Sequence, residues 1–325
     1  MNRTTTNQLL AVEMLRRNYV RSDRDDQLNW HLDHVFGPTA NGELASFTST
    51  GEARGIAVIA APGDGKTSLI HNGLKTHPSL SVGNLSWPTR YIHVTVPNPA
   101  TLKSLGCEIL KATGYPSIST QRTAWNIWDM VRARLEALQI AVLWIDEAHD
   151  LFVSASDREA NDILKMLKTM MQGKSPVSVL LSGTEKLWNL LSVDPQVQRR
   201  FTVLRLNPLS PASHSQWLAR LVNDYCARAS LGAPRSDDLV YRIMHASRYL
   251  FGRCIETVVN AIEDAARQGQ SDLKLANFAF CYEQAENCGD GSNVFIVEKW
   301  RDIDPDESVR DLAPPKPLSK TVRRR

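Results

Sequence analysis

The sequence predicts an α/β fold, a parallel five-stranded sheet with helices on both faces, followed by a small all-helical domain. Three observations lead there. Five short, near-continuous apolar runs alternate with helical patterns between residues 55 and 206. Strands that are apolar on both faces belong to parallel sheets covered by helices. A glycine-rich turn, AAPGDGKT at 60–67, stands between the first of these runs and a helical segment. After Pro208 the strand-like runs stop, and the chain reads as helical to about residue 286.

Taken in order, residues 1–45 read as a polar, partly helical arm, in which Leu9, Leu10, Val12 and Leu15 form a short apolar face and RSDRDD a solvated break. Residues 46–210 are expected to hold the α/β domain. Its strands are expected at 56–60, 91–96, 140–145, 177–181 and 201–206, and its helices at 68–75, 102–113, 123–138 and 157–171. Residues 211–290 form the helical domain, with helices expected at 213–229, 237–247, 252–267 and 272–284. Residues 291–325 are rich in proline and charge, end in a basic run, and read as a tail.

Composition bounds the function more loosely. A chain of 325 residues, 42% hydrophobic and 22% charged, is able to bury one large core or two modest ones. The net charge of +3 is compatible with nucleic-acid binding without predicting it. The five cysteines are scattered, form no CxxC pair, and read as free buried thiols. No apolar run approaches the roughly 20 residues that cross a bilayer, so the expectation is a cytoplasmic protein with no membrane contact.

The turn at 60–67 carries the strongest chemical signal. A loop that leaves a strand and opens a helix points its backbone N–H groups at phosphate oxygens. Lys66 would neutralise the β- and γ-phosphates of a nucleotide and Thr67 would ligate Mg²⁺, with Pro62, Gly63, Asp64, Gly65 and Ser68 forming the rest of the cradle. Ala60 replaces the first glycine of the usual pattern, which removes backbone freedom but no ligand.

The metal-side acid is expected in AVLWIDE at 141–147, at the C-terminal end of a buried strand. Asp146 would hold Mg²⁺ and Glu147 would orient the attacking water; the bland alternative is an acidic helix cap. Asp146 to His149 also spells DEAH, yet a helicase of that kind needs a second motor domain for which this chain has no room, and His149 is left as an ordinary residue at the edge of the site. In the SGT that ends the fourth run, Thr184 is the first choice for a hydroxyl facing the γ-phosphate or the water, and Ser182 the second. A turn without chemistry is the alternative. Arg199 and Arg200, before the fifth strand, suit a finger acting on a neighbouring subunit, or a plain surface pair. Arg253, and less so Arg248, could reach the γ-phosphate from the helical domain.

This order of parts resembles the AAA+ superfamily over roughly residues 55–267, with AAPGDGKT as Walker A, AVLWIDE as Walker B, SGT as sensor 1, QVQRRF as arginine finger and FGR as sensor 2 of a helical lid domain. Within it, the polar arm, the DEAH spelling, the SGT, the RRF before a strand ending NPLSP and the NVFIVEKWRDI segment are similar to the TniB/TnsC transposition regulators, which in turn resemble IstB ATPases. The resemblance implies an ATP- and Mg²⁺-dependent homo-oligomeric ring or filament on double-stranded DNA, linking a TniQ-type targeting protein to a DDE transposase. DNA would be held without reading its sequence, with Lys103 and Arg122 as the candidate phosphate contacts. Two rivals stand beside this reading: an ATPase for protein remodelling or secretion, and a nucleotide-gated scaffold with little turnover.

Overall fold

A computed structural model describes residues 3–36, 51–115, 118–119, 121–153 and 155–306. It divides into two compact units, one spanning Tyr19–Asn207 and the other formed by the residues up to Asn18 with those from Pro208 onward.

The first unit is the α/β domain. Its strands are β1 (Gly55–Ile59), β2 (Tyr91–Thr95), β3 (Val142–Asp146), β4 (Ser178–Gly183) and β5 (Phe201–Arg205), all parallel, in the order β2-β3-β4-β1-β5. Each coincides within a few residues with an apolar run of the sequence. Alternation along β1 divides the core: Ala57 and Ile59 join Leu105, Ile127, Val131 and Leu167 on one face, while Ile56 and Val58 join Leu28, Leu32, Ile70 and Leu74 on the other. The first face is covered by α4 (Leu102–Ala112), α5 (Ala124–Ala137) and α7 (Asp157–Met170), the second by α2 (Asp23–Phe36) and α3 (Lys66–Thr76). Short helices α6 (Asp150–Val153), α8 (Glu185–Leu191) and α9 (Pro195–Gln198) complete this unit.

Several boundaries follow from local chemistry. Thr101 and Ser104 form a reciprocal capping box at the start of α4, as do Ser156 and Glu159 at α7, and the Asp194 carboxylate caps α9 ahead of Pro195. Gly73 lets α2 close on α3, because a Cβ there would lie 2.7 Å from Leu28 Cδ2.

The second unit contains α10 (Pro211–Arg228), α11 (Leu239–Ala246), α12 (Phe251–Arg267) and α13 (Leu275–Glu286), joined by α1 (Arg3–Arg17). The arm expected over 1–45 is thus shared between the units. Val12 and Leu15 of α1 are buried, Gln8 donates to Gln270 O at 3.2 Å, and Arg16 bonds Asn260 Oδ1 at 2.9 Å and pairs with Glu263 of α12. Residues 37–45 of that arm lie outside the described residues. The expected tail also begins later than residue 291. Phe295 and Trp300 are buried, Phe295 stacks on Phe278, and Arg242 donates to the carbonyls of Val294 (2.7 Å) and Val297 (2.9 Å). Apolar and aromatic residues in NVFIVEKW offset the cost of ordering that stretch. Residues 307–325 of the expected tail are likewise outside the described residues.

Candidate functional site

The strand order places β4 between β1 and β3, so the loop after β1, the SGT of β4 and the acids of β3 emerge side by side at the C-terminal edge of the sheet. Gly63 and Gly65 have φ of 82° and 85°, in the left-handed region that a side chain disfavours, and Gly65 is the N-cap of α3. Ala60 has no positive φ and its N–H bonds Gly183 O at 3.0 Å, which is why alanine serves where glycine is usual. The loop delivers Lys66 and Thr67 to the first turn of α3, where the helix carries about half a positive charge.

Both side chains meet the β3 acids. Lys66, nearly buried, donates from Nζ to Glu147 Oε1 at 2.7 Å, and Thr67 Oγ1 donates to Asp146 Oδ2 at 2.7 Å. Glu147 itself has φ of 53°, unusual for a non-glycine residue, so the chain leaves the strand's alternation at the residue that presents the second carboxylate. Pro62, Gly63, Thr67 and Ser68 are exposed along the loop, whereas Asp64 is buried.

Asp146 is held by a relay. Trp144 Nε1 donates to Ser182 Oγ at 2.8 Å, and an indole N–H can only donate. The serine hydrogen is therefore directed to Asp146 Oδ1 at 2.6 Å, and the same oxygen accepts the Glu147 N–H at 3.0 Å. Trp144 and Asp146 share one face of β3 by their spacing of two, and Ser182 lies on the adjacent strand. His93, opposite Trp144 on β2, stacks on the indole with ring centres 3.7 Å apart, and burial holds its imidazole below the ordinary histidine range.

The two hydroxyls of SGT are thereby distinguished. Ser182 is committed to Asp146, while Thr184 Oγ1 is buried and has no hydrogen-bond partner among the described residues, even though Thr184 is the N-cap of α8. His149 places Nδ1 3.3 Å from Glu147 Oε2, without hydrogen-bond geometry.

The arginine pair also divides. Arg200 is buried and donates to Glu52 Oε1 at 2.6 Å; Arg199 is exposed, its nearest carboxylate contact being 3.9 Å from Glu52. A hydrogen bond from Gln172 and the charge of Arg200 hold the Glu52 carboxyl below its usual range. Lys103 is half-buried in a cleft of about 710 Å³ that also holds Asp150, Glu159 and Asp162, and Arg122 is exposed in the turn before α5.

In the helical unit, Arg253 lies in the first turn of α12, half-buried beside a small cleft with Glu256 and Asn260. Arg248 is taken up by Glu286, which it bonds through Nη1 and Nη2 at 2.9 and 3.0 Å, and by Asp306.

Two residues of the site escaped sequence reasoning. Trp144 falls within the apolar run expected as the third strand, and only the strand pairing reveals what its N–H meets. Arg24, from the RSDRDD break, donates to Asp64 Oδ1 at 2.9 Å, and no sequence signal links the two positions.

The family model for the bacterial TniB protein matches residues 42–211, just over half the chain. The chain belongs to the TniB family. Its fold is that of the AAA+ ATPases. This TniB-family chain is similar to Cdc6p from Pyrobaculum aerophilum, at 13% identity and a TM-score of 0.59 over 82% of this chain and 68% of that one. It is similar as well to the Aeropyrum pernix ORC2 protein in its ADPNP–ADP complexes (16%, 0.57, 85% and 72%). The Aeropyrum pernix ORC1 protein, solved in complex with DNA, gives 14% and 0.56 over 81% and 65%. No curated protein matches the chain. Among the described residues, no helix is long and apolar enough to cross a membrane.

Proposed function

We propose that this chain is a Mg²⁺-dependent ATPase that assembles as a ring or filament on double-stranded DNA of any sequence and, in transposition, links a TniQ-type targeting protein to a DDE transposase. The observation that carries the reading is the convergence of Lys66 and Thr67, from the first turn of α3, on Glu147 and Asp146 at 2.7 Å each. Family membership supports the setting in transposition, and DNA binding in the ORC1 complex supports the duplex as partner.

The residues fit the nucleotide and its metal. Thr67 and Asp146 offer hard oxygen donors of the kind Mg²⁺ takes, and the Thr184 hydroxyl, without a partner among the described residues, is suited to a phosphate oxygen or water. When bound, Mg²⁺ neutralises charge on the terminal phosphates. Lys66 leaves Glu147 for those phosphates, which frees the Glu147 carboxylate to orient and polarise water. Asp146 would keep its orientation through Ser182 while it holds the metal. Arg199, the exposed member of its pair, is the finger offered to a neighbouring subunit.

One observation favours the protein-remodelling rival. Lys103 shares its cleft with three carboxylates, a setting that repels phosphate and suits a basic peptide. A salt-titrated anisotropy series with duplex DNA, with and without a slowly hydrolysed ATP analogue, separates the two. The DNA reading expects nucleotide-stimulated binding that weakens with salt at a log–log slope of about −0.9 per neutralised phosphate. Substituting Lys103 and Arg122 together should flatten that slope. Absence of stimulated binding at low salt overturns the DNA reading.

A further inference from the structure

The phosphate loop contains a carboxylate of its own. Asp64 stands between the two left-handed glycines, 2% exposed, in a segment whose amides face a polyanion under the reading above. A second negative charge there opposes the ligand unless something cancels it.

Arg24 supplies the opposing charge. The second residue of α2, with its side chain 8% exposed, donates from Nη1 to Asp64 Oδ1 at 2.9 Å and to Asp64 O at 3.1 Å, and from Nη2 to Asn207 O. The contact with the carbonyl carries a further consequence. In a trans peptide the C=O and the following N–H point in opposite directions. Drawing Asp64 O toward Arg24 therefore turns the Gly65 N–H away from the arginine, toward the side where successive loop amides form an anion site.

The start of α2 is itself fixed. Asp25, buried, accepts from Ser22 N at 2.8 Å, Tyr19 Oη at 2.6 Å and Asn72 Nδ2 of α3 at 3.3 Å. Arg24 thus reaches the loop from a backbone anchored to the helix that the loop opens.

We propose that Arg24 is a positioning residue of the phosphate loop, neutralising Asp64 and aiming the Gly65 N–H at the bound phosphate, so that nucleotide affinity depends on a residue 40 positions upstream. The proposal rests on the nucleotide-binding reading of the loop.

The test is a titration of the full chain with mant-ATP and mant-ADP, in wild type, Arg24→Met, Arg24→Lys, Asp64→Asn and the Arg24→Met/Asp64→Asn double variant. Arg24→Met should weaken mant-ATP binding by about tenfold or more, and mant-ADP binding by less, because repulsion from an uncompensated carboxylate grows with ligand charge. The double variant should recover most of that loss relative to Asp64→Asn alone, which loosening of the fold would not produce. Wild-type affinity in folded Arg24→Met, or an equal loss with aspartate and asparagine at 64, overturns the proposal. Should circular dichroism find Arg24→Met unfolded, Arg24→Lys, which keeps the charge and loses the planar fork, decides: a several-fold weakening is expected, and wild-type affinity overturns it. Failure of the underlying reading has a different signature, wild-type protein that binds neither mant nucleotide.

Discussion

Ser182→Ala tests the idea that Asp146 is held in place by its neighbours. The substitution removes the 2.6 Å hydrogen bond to Asp146 Oδ1 and leaves the Trp144 indole N–H, 2.8 Å from the missing oxygen, without an acceptor in a buried setting. A hydrogen bond to a charged group contributes about 1.5–3 kcal/mol and an orphaned buried donor costs about 1–3 kcal/mol, so a stability loss of about 3 kcal/mol is expected. The functional effect is separate. Removing the partner that orients a metal-holding carboxylate commonly costs about 10–100-fold in metal affinity. The assay is steady-state ATP turnover at saturating ATP across a Mg²⁺ titration. Half-saturation should move up by at least tenfold in Ser182→Ala while turnover at very high Mg²⁺ approaches wild type, and Ser182→Thr, which keeps the hydroxyl, should restore the curve. A folded Ser182→Ala protein with wild-type Mg²⁺ half-saturation refutes the relay.

Further outcomes are expected at the acid–lysine pair, the arginine pair and Glu263. Glu147→Gln should retain ATP while turnover falls by about 10²-fold or more, and Lys66→Ala should lose ATP binding; equilibrium binding and phosphate release check the two, and wild-type turnover in Glu147→Gln removes Glu147 as the water-orienting group. Arg199→Ala should lower turnover of the assembled protein and leave ATP affinity of the subunit unchanged, with partial recovery on mixing with Lys66→Ala, whereas Arg200→Ala, which removes the buried ion pair with Glu52, should show itself first as a lower urea midpoint. In the helical unit, hydrogen bonds from Arg16 and Arg267 hold the Glu263 carboxyl below the usual glutamate range. The unfolded chain therefore binds the proton more tightly than the folded one, and the stabilisation, complete above the ordinary glutamate pKa of about 4.3, is lost as pH falls through the lowered value. Arg16→Ala should narrow that acid-dependent loss in a urea series taken from neutral to acid pH, and an unchanged profile would remove Arg16 from the account.

Much of the fold was legible because the signals were local. Strands buried on both faces need unbroken apolar runs, and a loop that turns tightly from strand to helix through left-handed backbone needs glycines at fixed positions, so the five strands and the segment 60–67 stood out in the sequence. Thr67 and Asp146 could be named from their motifs for the same reason.

What the sequence could not supply were relations between residues far apart in the chain. Strand order is one: only with β4 seated between β1 and β3 does Ser182 meet Asp146, and only then do the two hydroxyls of SGT separate into one committed to the acid and one without a partner among the described residues. Burial is another, since Arg199 and Arg200 are equivalent on paper until packing turns one inward onto Glu52. Arg24 is the clearest case. By itself the sequence determined which residues are chemically suited to the phosphate, metal and water roles proposed for them, because such suitability belongs to side-chain chemistry and to backbone freedom at single positions. The tertiary structure alone decided which partner each charge would find, because a hydrogen bond of 2.9 Å between residues 40 positions apart depends on how helix α2 packs and leaves no pattern in the sequence around it.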